Sequence, residues 1–165
     1  MKTKKLTTLG LSVALALILS YVESLLPPLM AVPGVKVGLP NIVFLFLLWR
    51  YGWKEAASVS LIRLVLSAAL FTGFAAFFYG LAGAVLSLVG SALLKRSGRF
   101  SPLGVSAAGG VLHNLGQIAL AALVLDSGYI FAYLPVLLLS GTVAGALVGL
   151  LAGVVIYRTD IGQAA

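Results

Sequence analysis

The chain has 165 residues, 61% of them hydrophobic and 9% charged, and its mean hydropathy is +1.15. A soluble domain carries about 25% charged residues, so the composition excludes an ordinary soluble enzyme or binding domain and indicates an integral membrane protein. The formal charge of +7 arises from 11 basic residues that fall mostly in breaks between apolar runs, which makes it a topology signal rather than a nucleic-acid footprint, and with no cysteine present there is neither disulfide nor thiolate metal site.

A helix needs roughly 20 apolar residues to cross a bilayer, within a range of about 17–25. Six candidates follow in order: about Leu6–Leu26, Val37–Tyr51, Glu55–Phe71, Phe74–Leu94, Pro102–Leu125 and Tyr133–Tyr157. The expected fold is therefore all-α, a polytopic membrane protein with six transmembrane helices in a single domain, residues 1–165. The opening "MKTKKLTTLGLSVALALILS" has the layout of a signal peptide. Its apolar run continues to Leu26 without a small-residue cleavage site, so it is expected to remain as the first helix. The second candidate is short, and Gly38 and Pro40 flank its start. The preceding "PPLMAVPGVKVGLPN" is expected to dip back into the protein, where irregular backbone is tolerated at membrane depth.

With six alternating helices, Lys2, Lys4, Lys5, Arg50, Lys54, Lys95, Arg96, Arg99 and Arg158 share one side, Lys36 lies in a loop on the other, and Arg63 is inside a helix. The positive-inside rule then places both termini in the cytoplasm, with the cell membrane of a prokaryote as the setting. Trp49, Tyr51, Trp53 and Tyr157 would form the inner aromatic belt, and Tyr129 and Tyr133 the outer one. No "GxxxxGK[ST]" occurs, so the chain holds no ATPase of that type.

Small residues form three stripes: Ser12, Ala16 and Ser20 in the first helix, Gly83, Ser87 and Ser91 in the fourth, and Gly141, Gly145, Gly149 and Gly153 in the last. Such stripes let helices approach closely in lipid. The glycine ladder is expected to pack within the monomer. At least one stripe is expected to meet another subunit.

Ionisable groups in a bilayer core cost about 2.5–3.5 kcal/mol each on insertion scales and mark function. The candidates are Glu23, Asn41, Arg63, His113, Asn114 and Gln117, with Lys36 in the adjacent outer loop. His113 and Gln117 are four apart, and Asn114 and Gln117 three, so one face of the fifth helix carries all three. Gln117 stands about 6 Å above His113, and Ser106 and Gly110 extend the stripe inward. The set converges on the outer half of the bundle as a pocket wall for a small polar or anionic ligand. Arg63 and Lys36 would be its cationic partners and Glu23 a counter-charge. The alternative is a ligand-free network in which Glu23 pairs with Arg63. Interhelical hydrogen bonds average only about 0.6 kcal/mol in one membrane protein, a weak reason to keep so many polar groups. One histidine without a second His or Cys completes no metal site. Phe71, Phe74, Phe77, Phe78 and Tyr79 cluster at the turn between helices three and four. They read as an interfacial belt first and as a stacking platform for a flavin, pterin or quinone second.

In order along the chain, Glu23, "PGVKVGLPN" (Pro33–Asn41), Arg63, "GLAGAVLS" (Gly80–Ser87), "GVSAAGGVLHNLGQ" (Gly104–Gln117) and the glycine-rich last helix resemble the Gx transporter family. That family also carries the description heptaprenyl diphosphate synthase component I. It is similar in turn to the S components of energy-coupling factor (ECF) transporters. The resemblance implies a six-helix, S-component-like subunit that binds a vitamin-like molecule, flavin- or quinone-related compounds included. A transmembrane coupling protein and ATPases would energise it in trans, docking through a small-residue face of helix 1, here Ser12, Ala16 and Ser20. No cofactor is implied. A prenyl synthase holds Mg²⁺–diphosphate on clustered aspartates, whereas Asp126 and Asp160 stand apart here, so prenyl condensation is not expected. The competing reading is a non-transporting membrane anchor for a prenyl-quinone or flavin-linked electron-transfer system. It draws on where members of the resembled family are encoded and on the small-residue faces. With one histidine and four scattered carboxylates, no nucleophile–base pair can be assembled for an enzyme.

Overall fold

The computed structural model describes residues 2–26 and 36–164, with side chains described for residues 3–26 and 36–159. The dip-back expected for residues 27–35 and the side-chain placements of Lys2 and Asp160 lie outside them. Among the described residues every element is helical. In chain order these are α1 (Lys2–Leu25), α2 (Asn41–Arg50), α3 (Trp53–Ser67), a π-helical turn (Ala68–Thr72), α4 (Gly73–Arg96), α5 (Pro102–Leu125), a 3-10 turn (Gly128–Tyr133) and α6 (Leu134–Ala164). Four helical stretches are long and apolar enough to cross a membrane: Thr3–Leu25, Trp53–Arg96, Pro102–Leu125 and Gly128–Thr159.

The stretch from Trp53 to Arg96 runs through a sharp turn. After the π-helical turn, Gly73 adopts φ +80° with open space around it, a conformation that costs glycine little and other residues much. α4 then returns along α3, and a Cβ added at Gly80 would lie 3.0 Å from Leu64 Cδ2. α5 is delimited by its own sequence: the Ser101 hydroxyl accepts from Gly104 N–H, Pro102 occupies the first turn, and Asp126 closes the helix in the left-handed region.

α2 differs from the rest. It has 10 residues, about 15 Å of helix, and Leu45, Leu47 and Leu48 are almost completely buried. A short helix that is apolar all round belongs in the centre of a bundle, and α2 touches α1, α3 and α6. Together with Ala16, Ala56, Val59, Val105, Ala152 and Ile156 it forms the apolar core of the half that holds the chain termini. α2 begins at Asn41, and among the described residues no helix continues it into the opposite half, where a cavity lies.

α4, α5 and α6 pack antiparallel at close range. A Cβ at Gly145 would stand 2.4 Å from the Ser106 carbonyl oxygen, one at Gly110 2.3 Å from that of Gly141, and one at Gly116 2.5 Å from that of Ala82. Gly141, Gly145 and Gly149 all face α5, so this part of the ladder packs within the chain as expected, while Gly153 meets nothing closer than 3.9 Å.

The basic residues that share one side in the sequence share one end of the bundle. Lys5 reaches Glu55 at 2.5 Å and lies 5.9 Å from the Tyr51 ring centre, and Lys54 lies over Trp53. Lys95 donates to the Leu48 and Trp49 carbonyls at 2.6 and 3.3 Å, and sits above the Trp49 ring. A cation at the C-terminal end of α2 meets the negative end of its dipole.

Candidate functional site: a polar cavity above the central helix

The cavity above α2 has a volume of about 120 Å³, and all seven residues singled out from the sequence line it: Glu23, Lys36, Asn41, Arg63, His113, Asn114 and Gln117. They come from α1, the turn before α2, α2 itself, α3 and α5. Lys36 is exposed at the rim and the other six are half-buried.

The rim is a turn in which Gly38, at φ +79°, donates its backbone N–H to Glu23 Oε1 while its carbonyl accepts from Asn41 N at 2.9 Å. A Cβ on Gly38 would meet Asn41 Nδ2 at 3.0 Å. The dihedral favours glycine strongly, and any side chain there would also push the Asn41 amide aside. Glu23 is thereby committed to the rim, tying the end of α1 to the start of α2.

Arg63 donates to Ser20 Oγ at 3.1 Å. Among the described residues the ion pair within 4.0 Å is Lys5–Glu55, so Glu23 and Arg63 share the cavity without a direct bridge. Pairing of those two was the core of the ligand-free alternative.

α5 contributes the far wall. Gln117 Nε2 lies 3.1 Å from His113 Nε2. With the amide nitrogen donating, Nε2 accepts and the ring proton belongs on Nδ1. That nitrogen faces Gly83, where an added Cβ would come within 2.8 Å of it. Asn114 Nδ2 donates to the Leu137 carbonyl at 2.7 Å, so this side chain also braces α5 against α6.

Of the floor, Ser106 and Gly110 were expected as the inward end of the α5 stripe, while Ser87, Ser91 and Gly109 were not expected in the cavity. Ser87, Ser91 and Ser106 line it with Gly109 and Gly110. Ser91 is fully buried, and its hydroxyl has no hydrogen-bond partner. A Cβ at Gly109 would come within 2.7 Å of that hydroxyl, so the missing side chain is what makes space there. The available signal was the Gly83, Ser87, Ser91 stripe, which the structure turns toward α5 and the cavity.

The proposed docking face is also turned inward. Ser12, Ala16 and Ser20 are all buried within the chain, and Ser20 lines the cavity. The side that α1 exposes carries Leu11, Leu15, Ile18 and Val22 instead. The aromatic cluster divides: Phe74 and Phe78 are exposed as belt residues, Phe71 meets Tyr21 edge-on at 5.5 Å, and Phe77 and Tyr79 line cavities.

A second cavity of about 550 Å³ opens beside the first, between α4, α5, the 3-10 turn and the start of α6. Ile118, Ala121, Leu125, Ile130 and Leu137 make it largely apolar, and Lys36, Ala76 and Gln117 line both cavities.

No curated protein and no solved structure matches this chain. A family model does, over residues 12–155, and with it the chain belongs to the family described as heptaprenyl diphosphate synthase component I.

Proposed function

We propose that the chain is the ligand-capturing membrane subunit of an uptake system for a small organic molecule, similar in role to an S component. The ligand enters the cavity from the membrane face opposite the chain termini, the termini being cytoplasmic. A separate coupling protein and ATPases supply the energy. One observation carries this reading: seven polar side chains from five segments of an otherwise apolar bundle line one cavity. Intramembrane polar groups are costly and ordinarily serve a pathway or a ligand. The unpartnered Ser91 hydroxyl and the unbridged Glu23 and Arg63 leave hydrogen-bonding and charge capacity inside that cavity. The family's name is that of a synthase component, but we assign this chain no catalysis. Glu23 is held at the rim, Glu55 pairs with Lys5 at the other end and Asp126 caps α5, and among the described residues no three such groups cluster as Mg²⁺–diphosphate chemistry requires.

Native mass spectrometry of the protein extracted gently from its own membrane tests the reading, with Arg63→Gln as the variant. The expected result is a small molecule bound to the wild type and lost from the variant, with the thermal melt of the two proteins similar. A molecule retained equally by both, or an empty wild type whose stoichiometric partner is neither a membrane coupling protein nor an ATPase, would overturn it. Asn114 is a poorer choice for substitution, since its contact with Leu137 also joins two helices.

A further inference from the structure

We infer that the molecule this site takes is an amphipathic anion, its charged head in the polar cavity and its apolar body in the neighbouring chamber. The inference rests on the capture reading above and narrows its ligand class. Two cationic side chains, Lys36 and Arg63, face the polar cavity against one carboxylate, Glu23, whose Oε1 already accepts the Gly38 N–H. Arg63 stands in the wall and Lys36 is exposed at the rim, and a positive excess around the mouth of a cleft with low-dielectric walls focuses its field on an incoming anion. The head must be small, because about 120 Å³ lies well below the roughly 300–1,000 Å³ of ordinary ligand pockets. The adjoining chamber, about 550 Å³, falls within that range. Its own lining offers Tyr79 and Tyr133 beside Ile118, Ala121, Leu125 and Leu137, and among the described residues it has no charged side chain besides Lys36. Lys36 and Gln117 stand at the junction of the two spaces, which is where the head of such a molecule passes into its body. A purely polar ligand would leave the larger chamber without a role. A neutral lipid chain would leave the cations without a partner.

The test uses the intact protein in lipid nanodiscs with dansyl-undecanoic acid, its neutral primary amide and acetate as ligands, and empty nanodiscs as the background. Saturable fluorescence of the acid is expected, with binding about tenfold or more weaker for the amide and for the acid on Arg63→Gln, because a desolvated charge pair is lost in each case. Ala121→Trp, which fills the apolar chamber, is expected to abolish binding of the acid. Leu125→Trp at the exposed end of that chamber does the same should the first variant fail to fold. Acid and amide binding alike, both indifferent to Arg63→Gln, would overturn the inference by making the chamber a plain lipid groove. Acetate as tight as the dansyl acid and unaffected by either tryptophan would also overturn it, while leaving the capture reading intact. Binding of neither acid in any form would overturn the inference, and the capture reading would then stand or fall on the native mass measurement alone.

Discussion

The two halves of this bundle are joined by opposite means. α4, α5 and α6 meet backbone to backbone: where Gly110, Gly116 and Gly145 stand, an added Cβ would lie 2.3–2.5 Å from a neighbouring carbonyl oxygen. α1 meets α3 through side chains, Lys5 with Glu55 and Arg63 with Ser20. In lipid, where apolar side chains gain nothing from leaving water, close approach of small residues and interhelical hydrogen bonds are the two available sources of association. The contrast shows how a polar cavity is kept open within such a bundle. One wall is set by contacts that no side-chain rotation can relax, and the opposite wall supplies Arg63 and Glu23. The short central helix α2 leaves the space between them.

The largest effect is therefore expected where the glycine wall is broken. Gly145→Ala would place a methyl 2.4 Å from the Ser106 oxygen and 2.9 Å from Ala107 Cα, neither of which is a flexible side-chain end. The helices must separate, and a loss of about 3 kcal/mol or more is expected, the upper end of overpacking costs. Gly153→Ala, on the same ladder but with nothing closer than 3.9 Å, is expected to be neutral or to stabilise by up to about 1 kcal/mol through helix propensity. Unfolding in detergent micelles, followed by circular dichroism, measures both. Equal effects at the two positions would mean that the ladder acts through helix propensity and not through close approach.

That pair of substitutions also shows where sequence reading stops. The glycine spacing was legible, as was the internal packing of the ladder, but not that Gly153 is spare. That these seven polar residues would line one space was legible because alternation of spans fixes height and a four-residue spacing fixes a face, and together these bring Glu23, Asn41, Arg63 and the His113–Gln117 face into the same half of the bundle. Rotation of each helix is fixed by neither. Ser12, Ala16 and Ser20 make the same pattern whether they face a partner or the core, and here they face the core. Glu23 and Arg63 looked like partners by charge, yet one accepts from the Gly38 backbone and the other donates to Ser20. Ser106 was legible as part of the α5 stripe, but the α4 serines of the floor were not, because hydroxyls are common in apolar helices, where they bond back to their own backbone, as Ser67 does to Leu64. Ser91 makes no such bond, and only coordinates reveal that.

Lys95 stands between the two modes, since it joins α4 to α2 by a side chain but reaches backbone carbonyls. Lys95→Met keeps the aliphatic stem over Trp49 and removes the charge from the end of α2. A cation at a helix C-terminus is worth about 1 kcal/mol in partly buried settings, and a destabilisation of that order is expected in the same micelle unfolding assay. No change would mean that the buried leucines of α2 hold the helix without help from its dipole.

The smallest effect is expected at Lys5–Glu55. The pair is close, at 2.5 Å, but the side chains are 46% and 20% exposed, and exposed ion pairs contribute roughly 0.2–1 kcal/mol after side-chain ordering and screening. A double-mutant cycle with Lys5→Met and Glu55→Gln isolates their coupling from the contact Lys5 makes with Tyr51. The coupling should be about 0.5 kcal/mol at low salt and should fade toward zero near 1 M, where the Debye length is about 3 Å. The glycine seam has no charge to screen, so the penalty of Gly145→Ala should be the same at both salt concentrations. A Lys5–Glu55 coupling that persisted undiminished at high salt would place this pair in a desolvated environment. The α1–α3 seam would then be as fixed as the glycine wall it faces, and both sides of the cavity would be rigid.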